Sequence, residues 1–153
     1  MSNPTAHQVV DRLIALVADG PSEPMADLFA EDAVFEAPYA LPGLPTREVG
    51  RETFRTHLRD GAELQKFTGV DNVRIFGTTD PEVVIAEYLL HGSVLATGNT
   101  FSHQLVLFAR VREGLIVESR NYANPLDAAV AFDLADTVLS TLAPARIAPA
   151  DRP

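Results

Sequence analysis

The chain has 153 residues, 46% of them hydrophobic, and a net charge of −9 at pH 7. That size suits one domain with a full core and no staples; the absence of cysteine removes disulfides, thiol nucleophiles and cysteine metal ligands. The acidic balance gives no basic footprint for nucleic acid or an anionic membrane, no apolar run nears the ~18 residues of a transmembrane helix, and the N-terminus lacks a secretory pattern, so a cytoplasmic protein is expected.

Thr5 and Gln8 form a capping-box pair, and Val9, Val10, Leu13, Ile14 and Val17 then recur at helical spacing until Gly20-Pro21 stops the helix. A short helix is expected over Met25–Phe29 and a short strand over Val34–Ala37, ended by Pro38. Residues Pro38–Gly50, with three prolines and two glycines, read as a loop whose Tyr39, Leu41 and Leu44 form a pocket lip. The next helix covers Arg51–Leu64, with Phe54 and Leu58 on one face. Four strands follow, over Phe67–Phe76, Val83–Val94, Phe101–Val111 and Leu115–Ala123. Arg112-Glu113-Gly114 reads as a three-residue hairpin loop, with Gly114 in the left-handed position of a bulge. A final helix is expected from Leu126 to Leu142, striped by Val130, Leu134 and Val138. The expected organisation is one domain over residues 1–142 and a loose tail over 143–153. Helices first and an antiparallel meander afterwards argue an α+β fold.

Two strings are specific. "DLFAEDAVFEAP" (Asp27–Pro38) and "VREGLIVESRNYANPL" (Val111–Leu126) resemble the early helix–strand motif and the last-hairpin motif of the SnoaL-like, or nuclear transport factor 2-like, superfamily. The Arg120-Asn121-Tyr122 string with Asn124-Pro125 is nearest the phenazine-biosynthesis A/B branch. The resemblance runs from about Thr5 to Ala131. It implies a cone: a strongly bent mixed or antiparallel sheet wrapped around helices, with an apolar pocket and dimerisation through the outer sheet face. The superfamily hosts several chemistries as well as pure binding, so the choice must come from residues.

Strand parity, set by the family's pocket-facing positions, turns Val84, Ala86, Tyr88, Leu90 and Gly92 inward. It does the same for Phe101, His103, Leu105, Leu107 and Ala109, and for Val117, Ser119, Asn121 and Ala123. The hairpin loop then pairs Leu105 with Asn121. The carboxylate base of a ketosteroid isomerase would fall at Ala37, its tyrosine near Leu13 and its second acid at Leu107, which excludes the usual form of that chemistry. The Asp-Arg-Asp set of a limonene-epoxide-hydrolase-like site falls at Tyr88, Leu90 and Asn121. The glutamate of the phenazine branch is Asn121, an amide that hydrogen-bonds but does not exchange a proton at neutral pH.

His103 is left as the inward ionisable group and is the expected catalytic residue. Tyr88, Leu90, Leu105, Ser119, Asn121, Tyr39 and Phe54 are the expected substrate-binding residues. Glu36 and Glu87 face away by alternation; His91, with Ile85 and Leu89, marks a homodimer surface; His7 and His57 lie on solvated helix faces. No metal and no cofactor are expected. Lys66 is the only lysine, which suggests a GC-rich bacterial genome. Two functions stay open. One is a SnoaL-like enzyme or auxiliary protein of secondary metabolism, promoting cyclisation, isomerisation or condensation of an apolar carbonyl-bearing substrate. The other is a non-catalytic small-molecule-binding protein of the same fold. A protein-interaction module is a third class, marked by an exposed groove in place of a cavity.

Overall fold

The computed structural model describes residues 2–147. The first helix, α1 (Ala6–Val17), opens on the expected box: Gln8 N–H donates to Thr5 Oγ1 at 3.2 Å, and Thr5 N–H donates to Gln8 Oε1 at 2.9 Å. Its stripe of Val9, Val10, Leu13, Ile14 and Val17 is buried against the sheet. A 3₁₀ turn over Glu23–Leu28 leads into β1 (Phe29–Glu36), followed by β2 (Arg47–Val49) and α2 (Arg51–Leu64). The long strands are β3 (Gln65–Gly77), β4 (Val83–Val94), β5 (Thr100–Arg112) and β6 (Leu115–Ala123), and α3 (Pro125–Ala131) and α4 (Ala135–Ile147) end the described chain.

The six strands form one mixed sheet in the order β2-β1-β6-β5-β4-β3, in which only the β1–β6 pairing is parallel. One face packs on α1 and α2, giving a core of Val84, Ala86, Tyr88, Leu90, Leu107, Ala109 and Ile116 with the helix stripes. Among the described residues no helix is long and apolar enough to cross a membrane.

Four expectations need correction. The first strand begins at Phe29, not Val34, and takes in the end of the expected Met25–Phe29 helix. Its register against β6 shifts between Phe29 and Val34, so period-two alternation is broken where the sequence would show it. The proline-rich segment also hides a strand: β2 pairs antiparallel with β1, Phe35 opposite Glu48 and Glu36 opposite Arg47. Three edge residues are too few to carry a pattern of their own.

The last hairpin is tighter than three loop residues. Arg112 pairs with Leu115, and Glu113 and Gly114 form a two-residue turn with φ of 50° and 80°. Between Arg110/Glu118 and Val111/Ile116 the register shifts, which makes Val117 the extra residue of a bulge. Asn121 therefore lies opposite Leu107, and Leu105 lies opposite Ala123. Val117 joins Asp32 and Val34 along an outer groove, while Ile116 is fully buried in its place.

The final helix is two helices. Asp133, with φ of 55°, turns the chain between α3 and α4, and Phe132 packs against Val94, Phe101 and Ala131. The expected stripe is split: Val130 is 68% exposed, while Val138 is buried. Ala143–Ile147, expected in the tail, continue α4, and residues 148–153 lie outside the described residues.

Candidate functional site

The concave side of the sheet holds an apolar chamber of about 320 Å³. Leu13 and Val17 of α1, Met25 of the 3₁₀ turn and Phe54 and Leu58 of α2 form one wall. Tyr88, Leu90, Leu105 and Leu107 form the floor. Phe29, Phe35 and Phe54 make a compact aromatic cluster, with ring centroids 4.5–4.9 Å apart. Toward solvent the chamber adjoins a second space of about 540 Å³, bounded by Tyr39, Leu41 and Leu44 of the β1–β2 loop, Leu64 of α2, and Pro125 and Ala128 of α3. His57, Gly61 and Asn121 line both spaces.

Register explains which polar groups turn inward. Cross-strand partners share a face, so the row Glu48–Phe35–Ser119–Ala109 runs across β2, β1, β6 and β5 on the concave side. Ala109 is fully buried and Ser119 is 3% exposed, which fixes the row as interior. Glu48 thus points back over the sheet toward α2, where His57 Nδ1 lies 2.9 Å from Glu48 Oε2. On α2 the residues Phe54, His57, Leu58 and Gly61 follow one another at i, i+3, i+4 and i+7, a single inward stripe. His57 sits at the edge of that stripe, half-exposed, so it meets solvent as its polarity predicts and also lines the mouth of the chamber.

The expected binding residues divide by depth. Tyr88 is 4% exposed, and burial pushes its phenol up to about 12, so the hydroxyl is a neutral donor at all ordinary pH. Leu90, Leu105, Ser119 and Phe54 line the inner chamber with it, and Asn121 stands at the junction of the two spaces. Tyr39 lines only the outer space, edge-on to Tyr122 with centroids 5.7 Å apart.

His103 takes a different position. It shares the concave parity of Leu105 and Leu107 but is not among the side chains lining either space. Its ring stacks on Phe101 at 4.5 Å and 12°, near α3. Its Nδ1 is buried without a hydrogen-bond partner among the described residues. Desolvation lowers its pKa, and the charge of Asp127 on α3 opposes the shift. Asn121 sits opposite Leu107, which is four residues, about 13 Å of strand, from His103. The expected His103–Asn121 contact is therefore not made: the two-residue turn and the bulge at Val117 each moved the register by one.

Residues 10–119 match the SnoaL-like domain family. An uncharacterised PhzA/B-like protein of Pseudomonas aeruginosa is 32% identical over 123 residues, covering 79% of this chain and 85% of that one. Among solved structures, a proposed isomerase from Bacillus subtilis superposes with a TM-score of 0.79 at 27% identity, covering 85% of this chain and 94% of that one. A phenazine biosynthesis-related protein of Pseudomonas aeruginosa shares the fold, with a TM-score of 0.70 at 19% identity over 84% of this chain and 81% of that one. The mixed sheet, the concave apolar chamber and these matches agree: the chain belongs to the SnoaL-like domain family, within the nuclear transport factor 2-like fold.

Proposed function

We propose that the protein is a cofactor-independent enzyme of secondary metabolism. It binds an apolar, carbonyl-bearing small molecule and moves a proton at the carbon beside the carbonyl, in an isomerisation or a cyclisation. The observation that carries this reading is the His57–Glu48 pair at the junction of a mostly apolar cavity, with Asn121 lining the same junction. In this reading His57, whose Nδ1 lies 2.9 Å from Glu48 Oε2, acts as base through Nε2, and the neighbouring carboxylate stabilises the imidazolium that forms. Nε2 takes the α-proton, and the electron pair moves onto the carbonyl oxygen. Asn121, through its amide N–H, or Ser119, through its hydroxyl, donates to the enolate oxygen. Isomerisation ends when the imidazolium returns its proton to a different carbon. Cyclisation ends when the enolate carbon attacks a second carbonyl of the same substrate and the new alkoxide takes that proton. The B. subtilis relative described as a proposed isomerase supports the proton-transfer class.

The test is exchange of α-protons for deuterium in a simple aryl ketone, followed by NMR in D₂O. Wild-type protein should accelerate the exchange over buffer. A ketone that binds without accelerated exchange would leave the second reading, a binding protein, which is favoured by one observation: among the described residues no carboxylate lines the inner chamber. We also propose that the outer sheet face, carrying Ile85, Leu89, Val106 and Phe108, forms a homodimer, because these half-buried apolar side chains otherwise meet water.

A further inference from the structure

Gly61 occupies the interior of α2, a helix of 14 residues. Glycine is the poorest helix former after proline, so a glycine there asks for a reason. The backbone supplies none, because Gly61 lies in a regular helix and is not among the residues with positive φ. Close packing supplies none either. A Cβ placed on Gly61 would meet only Pro21 Cγ, at 3.5 Å, an ordinary contact. What distinguishes the position is its place on the inward stripe, one turn beyond His57, where it lines the inner chamber and the outer space together.

We propose that Gly61 is a specificity-determining residue: the absence of a side chain holds open a neck between the two spaces, and the ligand is an elongated apolar molecule that passes through it. Its carbonyl lies at the neck beside His57 and Asn121, one apolar end fills the inner chamber, and the other lies under the β1–β2 loop. The inference rests on the proposed reading that this cavity takes an apolar carbonyl compound. Two observations carry the elongated shape. The inner chamber, at about 320 Å³, is near the lower end of small-molecule sites, which span roughly 300–1,000 Å³, and the adjoining space adds about 540 Å³ of mostly apolar lining. The walls of that outer space also leave large apolar side chains uncovered: Tyr39 is 61% exposed, and Leu44 and Leu64 are each 59% exposed. A ligand's second half would cover them, which a molecule confined to the inner chamber would not do.

The experiment is calorimetric titration with acetophenone, hexanophenone and dodecanophenone. It uses wild-type protein, Gly61→Leu and Ala128→Phe, with folding of each variant checked by circular dichroism. Wild-type affinity should climb along the series by about two- to fourfold per added methylene, the usual worth of burying one. Gly61→Leu should flatten that climb, so that the gain from acetophenone to dodecanophenone falls at least tenfold below the wild-type gain. Ala128→Phe, which narrows the outer space from α3, should flatten it too, and it decides the matter should Gly61→Leu fail to fold. An undiminished climb in the folded variants overturns the inference, as does a wild type that binds acetophenone and gains nothing with length. A wild type that binds none of the three ketones sinks the reading of the cavity itself, and the neck with it.

Discussion

Glu48 Oε2 lies 2.9 Å from His57 Nδ1, joining the shortest strand of the sheet to the helix that follows it. Both side chains are partly exposed, at 27% and 49%, so the pair contributes at most about 1 kcal/mol to stability. In the proposed mechanism its value lies in charge: the carboxylate stands beside the ring and stabilises the imidazolium that forms when His57 takes a proton. His57→Gln should therefore lower α-proton exchange about 10²–10⁴-fold while barely moving the melting temperature. Glu48→Gln should give a smaller loss in the same direction. NMR exchange rates with thermal melts check both, and a large melting shift with unchanged exchange would make the pair structural.

Tyr88 is one of three tyrosines. With burial holding its phenol at about 12, it should be the last to ionise. An ultraviolet titration should show this as a late component that disappears in Tyr88→Phe. The same substitution should weaken ketone binding about two- to tenfold, the worth of one neutral hydrogen bond. Unchanged affinity would mean that the hydroxyl does not meet the ligand.

His103 predicts a pH dependence of stability. Its folded pKa is lowered by desolvation from the ordinary 6.5, so the unfolded chain binds the proton more readily. The contribution is full above pH 6.5 and is lost as pH falls from there through the lowered folded value. Denaturation midpoints should therefore fall between pH 7.5 and pH 5, and His103→Phe, which keeps the stack on Phe101, should lessen the fall. An equal fall in the variant would assign the acid sensitivity elsewhere.

The outer sheet face places Ile85 opposite Phe108, and Phe108 opposite Arg120, whose guanidinium lies 4.0 Å over the Phe108 ring. If this face joins two copies, light scattering should report a dimer at micromolar concentration. Leu89→Arg should then shift it toward monomer, because a strongly hydrated guanidinium would have to be desolvated in each copy where an apolar side chain was buried. A monomeric wild type would count against the proposal.

Much of the architecture was legible in sequence because it depends on local periodicity. The capping box at Thr5, the Arg51–Leu64 helix and the inward parity of Val84, Ala86, Tyr88 and Leu90 needed only neighbours along the chain. The two motif strings carried the family. The register across the last hairpin was not legible. One extra residue at Val117, combined with a two-residue turn, kept the parity of Asn121 yet slid it from Leu105 to Leu107. Parity survives a slip of two, and partnership does not.

The sequence by itself determined an α+β chain of this family with an apolar concave face, since hydrophobic spacing and turn residues encode those features wherever the segments end up. Only the tertiary structure decided which polar groups meet there. Glu48 lay in a proline-rich stretch with no strand pattern, and its direction was set by pairing with Phe35 on β1. His57 is half-exposed, as a polar helix residue is expected to be, and its carboxylate neighbour came only from the pairing of β2 with β1. His103 had the right parity and was carried under α3 instead, because Phe132 turns the C-terminal segment onto Phe101. Alternation assigns a side chain to a face, but its partners depend on contacts between elements distant in sequence, and those are fixed only when the sheet closes over its helices.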